Sequence, residues 1–282
     1  MKTKKVTIYK PDRVLEMGFF EVWREMFLNL FQSRELIWRL FLRDFSAKYR
    51  QSILGVFWAI LNPIIVVGVF VFLNRAGILN IAETKVPYPV FALIGISIYG
   101  LFSTGLSASV NSIVGAGPMV VKINFPKISL VLSSFGQALV EFTVRLVLIV
   151  AVFFIFGVVP RGTTLLFPLA VVPILLLTLG IGFFLSLLAG IFRDIIHVVS
   201  LFTTFLLFLT PVLYPLPEIG PLVVLNKWNP LSHLIIGCKD LVLLGHMSNY
   251  SGFLWSSVFS VIVFLLSWKI FYLAESKIAE RV

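Results

Sequence analysis

Long charge-free apolar runs alternate with short polar connections along this chain, and the runs have the length a bilayer requires. Residues 51–74 make a run of 24, 86–121 one of 36, 162–192 one of 31, 195–217 one of 23 and 241–268 one of 28. Residues 128–160 are apolar apart from Glu141 and Arg145. A hydrocarbon core of about 30 Å takes about 20 helical residues. The pattern therefore predicts an all-α integral membrane protein with six transmembrane helices, near 53–73, 90–113, 130–157, 165–190, 196–213 and 252–273.

Ahead of these runs, residues 17–50 carry helical periodicity. Trp23, Met26, Phe27, Leu30 and Phe31 recur three and four apart, with Arg24, Glu25, Asn29 and Gln32 opposite. Ile37, Phe41 and Phe45 continue a second stripe beside Arg39, Arg43, Asp44 and Lys48. The segment is too polar to span, so an amphipathic helix lying in the headgroup plane is expected. This divides the chain into an interfacial segment, 1–50, and a single six-helix transmembrane domain, 51–282.

Between the fifth and sixth runs, 214–250 mixes Pro215, Pro217, Pro221 and Pro230 with apolar pieces at 222–225, 234–236 and 241–244. Proline lacks an amide donor, so Tyr214-Pro215-Leu216-Pro217 is expected to break the fifth helix. The pieces are too short to span. They predict short re-entrant helices, turning at Asn229-Pro230 and sheltered by protein.

Composition agrees. Of 282 residues, 59% are hydrophobic and 13% charged, against about 45–50% and about 25% in soluble domains. A soluble body, disorder and a coiled coil are all excluded. A lone cysteine, Cys238, removes any disulfide framework or cysteine-built metal site.

The net charge of +10 changes the picture only through its placement. Eleven of the 23 Lys and Arg precede the first apolar run. That is a positive-inside signature and a contact for anionic lipid, rather than a nucleic-acid surface. With the N-terminus inside, seventeen basic residues fall on the inner side and five on the outer. Six spans return the C-terminus to the same, cytoplasmic side. Residues 6–18 hold no apolar h-region, so a cleaved signal peptide is not expected.

Enzyme motifs fail one by one. His197, His233 and His246 lack H-E-x-x-H spacing, and no G-x-S-x-G occurs. The nearest approach to a phosphate loop, 157–164, has no Lys and contains Pro160. No catalytic residue, metal or resident cofactor is expected, and ATP hydrolysis by this chain alone is not. Interest passes to Gln137, Glu141 and Arg145, four apart on one face of the third span. Charges in a bilayer must pair and face protein or water. A structural ion pair and a place on a transport path both satisfy that demand. Gly182, Ser186 and Gly190 suggest close helix packing, and Asp194 beside Arg193 a turn pair or cap.

Several segments, in order, resemble a known family. They are 41–63, with Arg43-Asp44, Lys48-Tyr49-Arg50, Leu54-Gly55, Trp58 and Asn62-Pro63; 122–127, with Lys122, Asn124, Phe125, Pro126 and Lys127; Phe192-Arg193-Asp194-Ile195; Thr210-Pro211-Val212-Leu213-Tyr214; and Asn229-Pro230. Together they cover about residues 35–235 and are similar to the permease subunits of ABC-type polysaccharide exporters, which move O-antigen, capsule or teichoic acid.

The resemblance implies a homodimer of permeases with two ATPase subunits, which bind the ATP and Mg, in a bacterial cytoplasmic (inner) membrane. A lipid-linked glycan would be the substrate. Asp44, Lys122, Phe125, Lys127, Arg193 and Asp194 would couple to the ATPase. Gln137, Glu141, Arg145 and Tyr214 would line the path, and Pro215, Pro217, Asn229 and Pro230 would form an outer gate. A related permease for a small drug or lipid is the alternative within this class. A membrane-embedded lipid-dependent transferase is the alternative outside it, with only Asp44, Asp194, Glu218 and Asp240 placed for catalysis.

Overall fold

The computed structural model describes residues 18–50, 52–78, 84–117, 119, 125–216 and 219–278. Among them every regular element is a helix: α1 (Phe19–Gln32), α2 (Arg34–Arg50), α3 (Trp58–Arg75), α4 (Tyr88–Ala116), α5 (Ile128–Phe156), α6 (Phe167–Ile191), α7 (Ile195–Leu209), α8 (Pro221–Trp228), α9 (Pro230–Leu243) and α10 (Tyr250–Ile278). Tight 3-10 turns at Gly55–Phe57 and Gly162–Leu166 lead into α3 and α6.

Five of the predicted spans are helices long and apolar enough to cross a membrane: Gly55–Arg75, Tyr88–Ala116, Ile128–Phe156, Gly162–Ile191 and Tyr250–Glu275. Each begins within a few residues of its predicted start. At 29 residues apiece, α4 and α5 run about 43 Å and overreach the hydrocarbon core.

The predicted span 196–213 differs. α7 has only 15 residues, about 22 Å of helix. It stops at Leu209, ahead of the expected break at Tyr214-Pro215-Leu216-Pro217. Pro211 is the reason, because a proline drives the residue before it out of helical geometry. Thr210 accordingly sits at φ −96°, ψ 139°. Beyond it the two short helices expected between spans are present, with Asn229 as their hinge. The apolar pieces at 234–236 and 241–244 belong largely to one helix, α9.

The N-terminal segment also departs from expectation. Instead of one helix, it folds as two, joined at Ser33, whose hydroxyl donates to the Asn29 carbonyl at 2.7 Å. Trp23 and Phe27 set their rings edge-on against Trp268 of α10. α2 packs along α5, with the Phe41 ring over Gly136.

α4 is the axis of the bundle. It contacts α3, α5, α6, α7 and α9 and holds 17 buried residues. Of the small residues predicted on α6, Gly182 meets Ser109 of α4, where an added Cβ would lie 2.6 Å from the serine Cβ. Ala116, Ile128 and Ile191 lie at one end of the bundle, called the basic end here for the cations of α2 and of Lys127 beside it. Tyr88, Phe156 and Phe167 lie at the opposite end.

Candidate functional site

A cavity of about 670 Å³ opens between α2, α4, α5 and α7 toward the basic end. Its wall is made of hydroxyls and amides: Ser103, Thr104, Ser107 and Asn111 from α4, Ser134 and Gln137 from α5, and Ser200, Thr203 and Thr204 from α7. These recur four apart on α4 and three to four apart on α5 and α7, so each helix offers one polar stripe. Arg43, Asp44, Lys48 and Glu141 supply its charges.

Glu141 is the hub of those charges. Its Oε1 accepts from Lys48 Nζ at 2.6 Å and from the Tyr49 hydroxyl at 3.2 Å, and its Oε2 accepts from Arg145 Nη2 at 3.3 Å. One carboxylate thus ties α2 to α5 across 93 residues of sequence. Burial pushes the Tyr49 hydroxyl up to about 12, with the Glu141 carboxylate adding to the effect. Arg145 does not reach the cavity. Its guanidinium is buried against Gly100 of α4, and its Nε has no hydrogen-bond partner. Nearer the basic end, Arg43 Nε meets Asp44 Oδ1 at 2.8 Å.

The predicted site residues fall into three groups. Gln137, Glu141 and Asp44 line the cavity, with Arg145 behind it. Phe125, Lys127, Arg193 and Asp194 lie at the basic end. Lys127 sets its ammonium 5.1 Å from the Phe125 ring centre, and its amide donates to Glu275 Oε1 at 2.5 Å. Phe192, Arg193 and Asp194 are exposed at the α6–α7 turn. Asp194 occupies the cap position of α7 without making a side-chain cap bond.

Tyr214, Pro215, Asn229 and Pro230 make up the third group, at the opposite end. There a second cavity of about 590 Å³, mostly apolar, is lined by Phe91, Pro211, Tyr214, Pro215, Val223 and Lys239 among others. Asn229 caps α9, its Oδ1 accepting from Leu231 N at 3.0 Å, and Pro230 takes the first helical position, where a missing amide costs nothing. Lys122 and Pro217 lie outside the described residues.

Two features escaped the sequence reading. The hydroxyl stripe sat inside runs read only for length, although its four-residue recurrence on α4 was visible. Lys239, one of the five cations counted on the outer side, is buried in α9, where Nζ donates to the Pro211 carbonyl at 2.9 Å and the Val212 carbonyl at 3.3 Å. Burial draws it down to about 7, against the pull of Asp240.

The sequence is similar to those of known proteins. The O-antigen export system permease protein RfbA of Myxococcus xanthus is 32% identical over 192 residues, 68% of this chain and 72% of its own. A protein of the same name from Klebsiella pneumoniae is 25% identical over 211 residues, 73% and 79% of the two chains. The polysialic acid transport protein KpsM of Escherichia coli is 23% identical over 233 residues, 80% and 88%. Residues 35–243, from the first turn of α2 to the end of α9, match the ABC-2 type transporter family. With its apolar spans and its polar cavity among them, this chain is a multi-pass membrane protein that belongs to the ABC-2 type transporter family.

Proposed function

We propose that the chain is the membrane subunit of an ATP-driven exporter that moves a lipid-linked polysaccharide across the bacterial cytoplasmic membrane. The observation that carries this reading is the hydroxyl- and amide-lined cavity in a chain whose relatives are named for O-antigen export and polysialic acid transport. Ser, Thr, Asn and Gln both donate and accept hydrogen bonds, as sugar hydroxyls do. A pocket for an apolar drug would be lined the other way.

Counted from Phe156, about 20 residues of α5 cross the core, which sets Gln137 at its edge and Glu141 about one turn inside. In this placement α7 and the stretch after it complete a sixth span. Both termini face the cytoplasm, and α1 and α2 rest at the inner interface. A second copy of the permease faces the open side of the cavity. The exposed Phe192-Arg193-Asp194 turn receives a separate ATPase subunit, which binds ATP and Mg; Lys122 and Phe125 contribute to that surface, and the buried Lys127 holds the Phe125 ring from behind. Asp44, on the cavity wall next to Arg43, links that surface to the path. α8, α9 and the chain at Tyr214-Pro215 form the outer gate.

Co-purification tests the assembly: an ATPase subunit is expected with the permease in a near 1:1 ratio. Cysteine placed at Arg193 should crosslink to it. The native Cys238 is buried and its thiol is pushed up by that burial, so it leaves the background clean. Labelling of that position from outside the cell would overturn both the orientation and the docking surface.

A further inference from the structure

The two cavities lie along one helix, α4, and the end of α7 with the stretch that follows it packs against α4 between them. The polar cavity ends at Ser103 of α4 and the second begins at Phe91, about 18 Å away along the helix axis. The non-helical stretch Thr210–Leu213, which follows α7, lies against this part of α4, with Val212 at Gly95 and Leu213 at Tyr88. Thr210 N donates to the Leu206 carbonyl and Val212 N to the Thr210 carbonyl, but the carbonyls of Pro211, Val212 and Leu213 are left to side-chain donors.

Those donors come from two helices. From α4, the Tyr88 hydroxyl donates to the Leu213 carbonyl at 2.9 Å, while Tyr99 donates to the Thr203 carbonyl within α7. At the start of α9, Asn229 Nδ2 donates to Thr210 Oγ1 at 3.1 Å. Lys239 gives the most, bonding both the Pro211 and Val212 carbonyls while its ammonium sits 3.7 Å from the Phe91 ring centre. It is only 3% exposed. Gly95 completes the seat, since a Cβ there would overlap the Val212 oxygen.

We propose that Thr210–Leu213 is the partition closing the polar cavity toward the opposite end, and that Lys239 is the positioning residue that latches it. The latch rests on the exporter reading and adds to it a moving part. Because the stretch is already unwound, it can leave α4 without breaking any helix. Its donors sit on α4 and α9, so a shift of α9 away from α4 strips them and joins the two cavities.

The test uses the permease reconstituted in liposomes with its ATPase idle and no glycan present. Lys239→Met keeps the apolar stem and removes the donor. Leak of a small ion should rise at least about tenfold, on the usual scale of a lost buried charged hydrogen bond. A cysteine at Leu213 should turn from inert to reactive toward a water-soluble maleimide. Lys239→Gln, which keeps a donor, should restore much of the seal.

An assembled Lys239→Met permease that stays tight, with position 213 inert, refutes the latch and leaves the exporter reading standing. If Lys239→Met does not assemble, Tyr88→Phe combined with Asn229→Ala strips two other donors and must leak instead. A tight double variant then overturns the proposal. A chain that never binds an ATPase refutes the exporter reading, while the leak remains measurable on the permease alone.

Discussion

Arg145 lies in a notch that exists because Gly100 has no side chain. A Cβ at Gly100 would overlap the guanidinium of the arginine, which is 6% exposed, so a side chain there must push it aside. Its Nη2 holds Glu141 from that seat at 3.3 Å. The glycine therefore fixes the hub of the cavity's charges from a neighbouring helix.

Gly100→Ala should accordingly displace the Arg145 guanidinium and weaken its hold on Glu141, costing about 1–3 kcal/mol, the scale of a lost buried hydrogen bond. A lowered melting temperature of the purified permease is the measurement. Adding Arg145→Met to Gly100→Ala should recover part of the loss, because Lys48 and Tyr49 still hold Glu141. An unchanged melting temperature in the single variant would contradict the notch.

Lys48 alters what an exchange of Glu141 and Arg145 can do. Swapping them sets a guanidinium at position 141 against the Lys48 ammonium and a shorter carboxylate in the Gly100 notch. The exchanged protein should thus be less stable than the parent. Placing Lys48→Glu in that background should recover some stability. Among single changes, Glu141→Gln leaves Arg145 buried and unpaired, whereas Lys48 is 47% exposed and can turn to water. Glu141→Gln should therefore lower the melting temperature well beyond Lys48→Met, and the reverse order would show that Glu141 is not the hub.

How far the sequence disclosed this site depended on distance along the chain. Glu141 and Arg145 were readable because a four-residue spacing puts them on one helical face. Lys48 and Gly100, which complete the network, sit 93 and 45 residues away, and no local pattern reports them. The five long spans were legible because charge-free length measures the bilayer. That same ruler hid the end of α7, since Thr210-Pro211 lies inside a run that stays uncharged to Pro217. The split at Ser33 was hidden likewise, because the apolar spacing continues past it. The burial of Lys239 was hidden for a related reason: a lone cation between short apolar pieces carries no local sign of what covers it, and only tertiary packing buries it.

The buried Lys239 also predicts a pH dependence. Its ordinary value is 10.5 and burial brings it to about 7 in the fold. Between those limits the unfolded chain binds more protons than the folded one, so stability rises with pH. Lys239 thus contributes most above pH 10.5, and that contribution is lost as pH falls toward 7. Lys239→Met carries no such titration. The stability difference between parent and variant should shift in the variant's favour from pH 9.5 to pH 7, read as paired melting temperatures. A difference that is flat with pH would mean that the ammonium keeps its charge throughout.

The last prediction concerns the wall of the polar cavity. Ser107 and Asn111 are exposed side chains one turn apart on α4, facing the cavity and bearing none of the charged hub. Exposed positions tolerate substitution within about 0.5 kcal/mol, so Ser107→Leu with Asn111→Leu should leave folding and ATPase-subunit binding intact. Two leucines there remove hydrogen-bonding groups that suit a sugar and fill space with methyl groups that suit a hydrocarbon. Polysaccharide reaching the cell surface should fall by about tenfold or more, as a polar path that loses its partners leaves the sugar hydroxyls unpaired. Val147→Leu, on an outward face of α5 that is 65% exposed, is the control and should export normally. Undiminished export by the double leucine variant would place the glycan elsewhere.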